Sequence, residues 1–259
     1  MGLQEALARF AFTLSLLQEP SAVQRVASEI CEDAANDGVT TLEIRFAPQL
    51  HGGACVEAIV DAALAGVAGR AGLILCGLYG EPPSVLASHV AMGQTRDGVV
   101  GIDLAGGPSP GHRWRLEDYR HPFLQAAECG LGRTVHAGEG RPPKEIRVAI
   151  ELLHAQRIGH GTTLLNDPEV LDLVLERGVV IEACPTSNVH TGVIRTVEDH
   201  PIRDWLGAGV EVCLCTDNTL LSSISSSEEH DIVQAAAGLT EAERDRVIAT
   251  GHDAAFSSH

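Results

Sequence analysis

The sequence has few aromatic residues and few basic ones. Aromatics make up only 3% of the 259 residues, so the core must consist mostly of Ala, Val, Leu and Ile, within a hydrophobic content of 44%. Lys and Arg number 18 against 35 Asp and Glu, which gives a formal net charge of -17. Nucleic-acid binding needs a basic face that neutralises phosphates. The composition therefore argues against nucleic acid as a partner.

Signals for membrane insertion and secretion are also absent. No run approaches the ~18 apolar residues of a membrane span, and the opening Met-Gly-Leu-Gln-Glu lacks the basic and apolar regions of a signal peptide. The seven cysteines are odd in number and include no C-x-x-C pair, which predicts buried thiols in a reducing compartment. We expect a cytoplasmic protein with no membrane partner, and the sequence does not indicate its oligomeric state.

Short apolar runs alternate with amphipathic segments along most of the chain. Strands are predicted at 39–46, 73–78, 99–104, 131–136, 157–160, 179–183 and 210–216. Helices are predicted at 3–17, 21–36, 55–69, 83–92, 116–129, 143–154, 168–177, 201–207, 228–237 and 241–250. Strands separated by helices imply right-handed crossovers and a parallel sheet covered on both faces. This α/β pattern fits an open doubly wound sheet or a closed barrel, in a single domain of residues 1–259.

The alternation of side chains along two strands favours the barrel. Glu43 and Arg45 share one face of their strand, and the apolar residues between and beside them share the other. We expect this charged pair to point into a barrel lumen as a structural ion pair. On the last strand, Cys213 and Cys215 share a face with Asp217. The two thiols are predicted to pack in the lumen, with Asp217 at its top.

Polar groups stand at the ends of three predicted strands. His136 ends one strand and Glu139 follows three residues later, across a flexible Ala-Gly turn, a pairing that suits metal-assisted hydrolysis. His160 ends another strand between two glycines, and Asp217 ends the last. A carboxylate facing a dry lumen there needs a metal, a cation or hydrogen-bond donors. Because parallel strands present their carboxyl ends on one face, we expect a single site at these positions.

Six stretches of the chain carry a family resemblance. They are LEIRFAP at 42–48, GIDLAG at 101–106, TVHAGE at 134–139, RIGHG at 157–161, EACPTSN at 182–188 and TDN at 216–218. Together they resemble the adenosine deaminases of the amidohydrolase superfamily, in family order and over essentially the whole chain. The resemblance implies a (β/α)8 TIM-type barrel that holds one zinc ion and hydrolyses the 6-amino group of a small-molecule purine nucleoside.

The resemblance also implies roles for six residues. His136 and Asp217 resemble zinc ligands, and Glu139 resembles the group that shuttles a proton to purine N1. His160 resembles the group that orients and stabilises the zinc-bound hydroxide. Gly106 resembles a backbone contact to the purine, and Asn218 occupies the position that meets purine N7.

The sequence departs from the family pattern in two places. Asn218 stands where the family usually has Asp, and an Asn amide donates a hydrogen bond to N7 without being protonated, so we expect a changed pH dependence or substrate preference. The family's first strand carries a His-x-His pair that supplies two zinc ligands, and no His-x-His occurs in this sequence. We expect the first strand and both ligands to belong to a segment before Met1, which makes this chain an N-terminally shortened barrel from a longer protein.

Two alternatives to adenosine deamination stay open. One is a deaminase of adenine or of an N6- or 5′-modified adenosine, because the 107–115 loop could line the pocket mouth. The other is an inactive, metal-poor barrel that acts as a binding module. The remaining histidines are expected at the surface or in loops, and His190 is the candidate among them for substrate contact. The others considered are His51, His112 and His252.

Overall fold

The computed structural model describes residues 3–107 and 111–256, which form an α/β fold with parallel strands. Its strands are β1 (Glu43–Phe46), β2 (Gly72–Leu78), β3 (Val99–Ala105), β4 (Gly132–Ala137), β5 (Arg157–His160), β6 (Val180–Ala183) and β7 (Val212–Leu214). Its α-helices are α1 (Leu3–Leu16), α2 (Pro20–Asn36), α3 (Val56–Val67), α4 (Pro83–Gly93), α5 (Arg120–Glu128), α6 (Lys144–Glu151), α7 (Pro168–Arg177), α8 (Pro185–His190), α9 (Ile202–Ala208), α10 (Thr219–Ser222), α11 (Ser226–Ala237) and α12 (Glu241–Asp253). In the described ranges, no helix is both long and apolar enough for a membrane span.

The chain divides into two compact units. The N-terminal unit is Leu7–Arg133 with the residues from Ala255 onward, and the C-terminal unit is Thr134–Ala254 with the residues before Leu7. In each unit the strands lie side by side in chain order, β1-β2-β3 in the first and β4-β5-β6-β7 in the second. That order is the one expected of successive βα units. The single domain of residues 1–259 stays a prediction.

Close helix packing organises the N-terminal unit. Small residues on α2 and α3 meet each other and the edge of β2, forming an aliphatic cluster that consists of Val23, Ala27, Cys31, Ile59, Ala63, Val67 and Leu73. A Cβ atom added at Gly66 would lie 2.3 Å from the carbonyl oxygen of Gln24. The two helices can therefore approach this closely only because Gly66 has no side chain.

A buried charge also marks the N-terminal unit. Arg45 pairs with the fully buried carboxylate of Asp103 at 3.3 Å, across β1 and β3. Glu43 accepts a hydrogen bond from the backbone N–H of Phe256 at 2.6 Å. The sequence analysis did not identify Asp103 as a carboxylate partner for Arg45. It could not do so because the two residues are 58 positions apart.

The C-terminal unit buries a second ion pair. Arg157 lies 2.9 Å from Glu182, and both side chains are almost completely buried. Thr134 donates a hydrogen bond of 2.9 Å to the other carboxylate oxygen of Glu182. Strand register places Glu182 opposite Gly159 on one side and Cys213 on the other. A buried carboxylate is thus neutralised and hydrogen-bonded beneath the strand ends.

All seven cysteines lie in the described residues and form no disulfide bond, and four of them are buried. The prediction of buried thiols is wrong for Cys55 and Cys129, which are exposed because they lie at the N-terminal end of α3 and the C-terminal end of α5. Cys213 is buried and Cys215 is half-buried. A hydrogen bond with Cys215, together with burial, raises the pKa of the Cys213 thiol.

Several predicted elements differ from those observed. The strand predicted at 39–46 begins only at Glu43, because Val39 donates its N–H to Ala34 and so completes the end of α2. The sequence analysis missed the short helices α8 and α10. His51 lies in a loop, one of the two locations predicted for it, but its side chain is buried and its ring meets the edge of Phe46.

Candidate active site

The strand ends of the C-terminal unit adopt unusual backbone conformations. His160, the last residue of β5, has φ of 68°, and Asp217, three residues beyond β7, has φ of 57°. Among the described residues only five other than glycine have positive φ, and these are two of them. Residues with a Cβ atom are strained in this region, by roughly 1–2 kcal/mol each. Such strain concentrates at functional positions.

The turn after β4 is held on both sides of Glu139. Gly138 has φ of 70°, and a Cβ atom added there would lie 2.7 Å from Cδ1 of Ile146, so this position beneath α6 favours glycine. The hydroxyl of Thr162 donates to the carbonyl of Gly138 at 2.8 Å and accepts from the N–H of Gly140 at 2.9 Å. Both neighbours of Glu139 are therefore fixed to the loop that follows β5. The carboxylate is presented from a rigid turn, as a proton-transferring group requires.

Glu139, Asn188 and His160 form a connected polar cluster. The side-chain nitrogen of Asn188 lies 3.0 Å from Nδ1 of His160 and 3.3 Å from Oε1 of Glu139. Thr191 donates its hydroxyl to the same Oε1 at 3.3 Å. The second oxygen of Glu139 is 3.9 Å from Nε2 of His160. The structure thus brings together two of the predicted site residues, Glu139 and His160, and adds Asn188 between them.

His136 lies directly beside this cluster. Its ring meets the edge of the His160 ring with centroids 5.1 Å apart. Residue 136 is paired with Gly159 in the β4–β5 register, and a Cβ atom at Gly159 would stand 3.5 Å from the His136 ring. The imidazole of His136 therefore lies close to Gly159 of the neighbouring strand. Three predicted site residues are therefore neighbours.

Asp217 takes part in a different contact. Its Oδ2 accepts a hydrogen bond from Ser187 at 2.7 Å, but the residue as a whole is exposed. The prediction that Asp217 faces a dry lumen is wrong, because β7 ends at Leu214 and the aspartate stands on the loop beyond it. The next residue, Asn218, caps α10 by accepting from the N–H of Leu221 at 2.8 Å. That bond occupies the amide oxygen and leaves the NH2 group to donate.

Helix α8 carries the side chains that hold these groups. Ser187 and Asn188 lie within it, and Thr191 follows its last residue. Its first turn is anchored by Glu229 of α11, whose carboxylate accepts from the N–H of Thr186 at 3.0 Å. Burial raises the pKa of Glu229. The sequence analysis quoted residues 182–188 as a motif but gave Asn188 no role, and it missed Glu229 because a contact 43 residues away leaves no local signal.

The donors for a metal are of the right type but too few. His136 offers an imidazole nitrogen and Asp217 a carboxylate, which are ordinary zinc ligands, whereas a hydrolytic zinc site takes three protein ligands and a water. Within residues 3–107 and 111–256, no three His, Cys, Asp or Glu side chains lie close enough together to hold a metal. The residues present therefore do not by themselves fit a complete zinc site.

The remaining predicted contacts lie elsewhere. Gly106 belongs to the N-terminal unit, where it is exposed just after β3 with φ of 79°, and nothing stands within 4 Å of an added Cβ atom. Of the 107–115 loop, residues 108–110 lie outside the described residues. His190, at the end of α8, is half-buried and lies 3.4 Å from the hydroxyl of Ser222.

Known proteins match this chain over its whole length. The family model described as adenosine deaminase matches residues 1–259. Adenosine deaminase from Clostridium perfringens is 36% identical over 268 residues, covering 99% of this chain and 80% of that protein.

Solved structures show the same fold. Adenine deaminase from Arthrobacter aurescens superposes with a TM-score of 0.91 at 24% identity, covering 100% of this chain and 81% of its own. The N6-methyl-AMP deaminase from Arabidopsis thaliana gives 0.88 at 27% identity, covering 99% and 80%. An amidohydrolase from Burkholderia ambifaria with bound Zn gives 0.85 at 25% identity, covering 93% and 70%. The prediction of the TIM-type barrel fold is confirmed.

Proposed function

This chain belongs to the adenosine deaminase family and is an aminohydrolase, and we propose that its reaction is hydrolytic removal of the 6-amino group from adenosine. The product is the 6-oxo nucleoside, and the amino group leaves as ammonia. The identity to the Clostridium perfringens adenosine deaminase supports this substrate. The observation that carries the proposal is the cluster of Glu139, Asn188 and His160 at the ends of neighbouring strands.

Glu139 is the proposed proton shuttle to purine N1. Water addition at C6 requires a proton at N1, and a carboxylate placed within hydrogen-bond reach can take a proton from the attacking water and deliver it there. The rigid turn after β4 and the hydrogen bonds from Asn188 and Thr191 hold that carboxylate in place. His160, 3.9 Å from Glu139, is proposed to orient the attacking oxygen.

Two further residues are proposed to contact the purine. Asn218 would donate its free NH2 group to N7, since its amide oxygen already caps α10. Gly106 would contact the purine through its backbone, and its exposed position after β3 leaves that backbone accessible.

One zinc ion is the proposed cofactor. The Zn-bound amidohydrolase that shares this fold supports it, and His136 and Asp217 are its proposed ligands in this chain. Two ligands are fewer than the three protein ligands of a hydrolytic zinc site. The steps assigned to Glu139, His160 and Asn218 are proton transfer and orientation, which these side chains perform themselves.

The second candidate function is deamination of a related 6-aminopurine. Two proteins with the same fold favour it, one named adenine deaminase and the other N6-methyl-AMP deaminase. Asn218, which stands where the family usually has Asp, and the 107–115 loop are where such a preference would arise. The non-catalytic candidate is a metal-poor barrel that acts as a binding module. It is favoured by the presence of only two proposed zinc ligands in this chain.

A substrate panel separates these functions. The purified chain, supplied with Zn2+, is incubated with adenosine, adenine and N6-methyl-AMP, and the released ammonia or methylamine is measured together with the purine absorption spectrum. We expect adenosine to give the highest kcat/KM. A preference for either other compound would favour the second candidate. Binding of adenosine in calorimetry without any amine release would support the binding module and contradict the proposed reaction.

A further inference from the structure

We propose that Asn188 is a positioning residue that fixes His160 as the tautomer protonated at Nε2, so that His160 donates a hydrogen bond and proton transfer is left to Glu139. The inference deepens the proposed function and rests on it for its catalytic consequence. The tautomer itself is a property of the three side chains and is independent of the reaction.

The orientation of the Asn188 amide follows from its neighbours. Asn188 is completely buried, and one of its terminal atoms faces both Oε1 of Glu139 and Nδ1 of His160. An ionised carboxylate can only accept hydrogen bonds. The atom facing Glu139 must therefore be the amide nitrogen, because a carbonyl oxygen there would repel the carboxylate.

The amide orientation decides where the imidazole carries its proton. The same NH2 group lies 3.0 Å from Nδ1 of His160, and an N–H donor at that distance requires an acceptor. A neutral imidazole has one donor nitrogen and one acceptor nitrogen. Nδ1 is consequently unprotonated, and the proton resides on Nε2, which lies on the side of Glu139.

This orientation of the Asn188 amide leaves its oxygen without a hydrogen bond. Within the described part of the chain, Oδ1 of Asn188 is buried without a hydrogen-bond partner. A buried acceptor without a partner is destabilising, yet rotating the amide would bring that oxygen against Glu139. The two contacts made by the nitrogen therefore outweigh the missing contact of the oxygen.

The tautomer of His160 determines which side chain donates a hydrogen bond and which one transfers a proton. A neutral imidazole protonated at Nε2 cannot accept a proton at that nitrogen and can only donate to an oxygen placed there. Glu139, which accepts two hydrogen bonds at Oε1 and keeps Oε2 toward His160, is then the group that takes and delivers the proton. Asn188 acts on the reaction only through these two side chains.

Nitrogen-15 NMR of the full chain with labelled histidine and asparagine tests the tautomer directly. We expect His160 to show an unprotonated Nδ1 and a protonated Nε2, with a scalar coupling across the hydrogen bond to the Asn188 side-chain nitrogen. Asn188→Leu should shift the Nδ1 resonance and abolish the coupling. A wild-type His160 protonated at Nδ1, or a Nδ1 resonance that Asn188→Leu leaves unchanged, would overturn the proposal.

Thr191→Val is the matched control, because Thr191 donates to the same Glu139 oxygen but has no contact with His160 among its hydrogen bonds. We expect this variant to keep the His160 resonances. In adenosine turnover, Asn188→Leu should lower kcat about tenfold more than Thr191→Val, the typical effect of one hydrogen bond, with KM nearly the same. Equal kcat in the two variants would contradict a role beyond supporting Glu139. If the wild-type chain does not turn adenosine over, the proposed function fails while the NMR result still decides the tautomer.

Discussion

The two units of this chain are built from the same βα repeat but use their polar residues differently. Each buries an Arg–carboxylate pair between strands, Arg45 with Asp103 in the N-terminal unit and Arg157 with Glu182 in the C-terminal unit. In the described residues, only the C-terminal unit has left-handed non-glycine residues at the end of a strand or within three residues after it, namely His160 and Asp217. The two Arg–carboxylate pairs stabilise the sheets. His160 and Asp217, in contrast, have a strained backbone, which is typical of residues at functional sites.

Helix starts differ between the units in the same way. In the N-terminal unit, α2, α3, α4 and α5 begin without a side-chain capping bond. In the C-terminal unit, α7, α10, α11 and α12 are capped by Asp167, Asn218, Ser225 and Thr240, whereas α6, α8 and α9 have no side-chain capping bond. Side-chain caps stabilise helix starts and fix where they begin. Among α2 to α12, side-chain caps thus occur only in the unit that holds the strained strand ends.

Breaking the buried pair of the C-terminal unit should have the largest effect on stability. Arg157→Met removes the cation that neutralises the buried carboxylate of Glu182, so we expect the free energy of unfolding to fall by about 3–5 kcal/mol. Arg45→Met in the N-terminal unit should cost about 2 kcal/mol, because the Arg45 side chain is 27% exposed and its contact is longer. Urea unfolding of both variants measures the difference. Equal losses would remove the contrast between the two pairs.

Acid should destabilise both units through one buried histidine in each. Burial lowers the pKa of His89 to about 4 and that of His200 to about 3. Their folded-state pKa values lie below the ordinary 6.5, so the stability of the neutral form is complete above pH 6.5 and is lost as pH falls toward the folded pKa. For His89 the loss is about 3 kcal/mol over that span.

The variant His89→Leu should flatten this acid dependence. The free energy of unfolding, measured in urea at several values between pH 7 and pH 4, should fall by about 3 kcal/mol less in the variant than in the wild type. His200→Leu is the counterpart in the C-terminal unit and should flatten it by at least as much. Parallel pH profiles for the wild type and both variants would contradict the assignment.

The smallest expected effect concerns the helix starts. Thr240 caps α12 by accepting from the N–H of Glu243 at 3.2 Å, so Thr240→Ala should lower the free energy of unfolding by about 1 kcal/mol. Cys55 holds the same position before α3 without a capping bond, and Cys55→Ala should change stability by less than about 0.5 kcal/mol. Thermal unfolding of the pair checks the comparison. A loss at Cys55 as large as that at Thr240 would contradict it.

The sequence predicts the strands and the polar residues at their ends better than the contacts between them. Strand β5 occurs at its predicted residues 157–160, a short segment that lies between a predicted helix and Gly161. Glu139 and His160 were recognised because each lies at or just after the end of a predicted strand. The role of Asn188 was not, because α8 is only six residues long and has no apolar periodicity. Its function depends on where β5 and the turn after β4 place their side chains in space.

Asp217 shows a second reason why the sequence does not predict the environment of every site residue. Alternation along the last strand predicts a lumen-facing carboxylate, but β7 ends three residues earlier and a left-handed backbone at Asp217 turns the chain. Side-chain alternation holds only while the strand continues. The family motif located the residue, whereas its exposure and its bond to Ser187 are visible only in three dimensions.

Ammonia release from adenosine by the wild-type chain and by Glu139→Gln, both supplied with Zn2+, tests the central claim most directly. The Gln side chain has nearly the same shape but cannot carry the proton, so we expect the variant to keep its fold and metal content while kcat falls by about 10²–10⁴-fold. A variant that releases ammonia as fast as the wild type, or a wild type that releases none, would contradict the account.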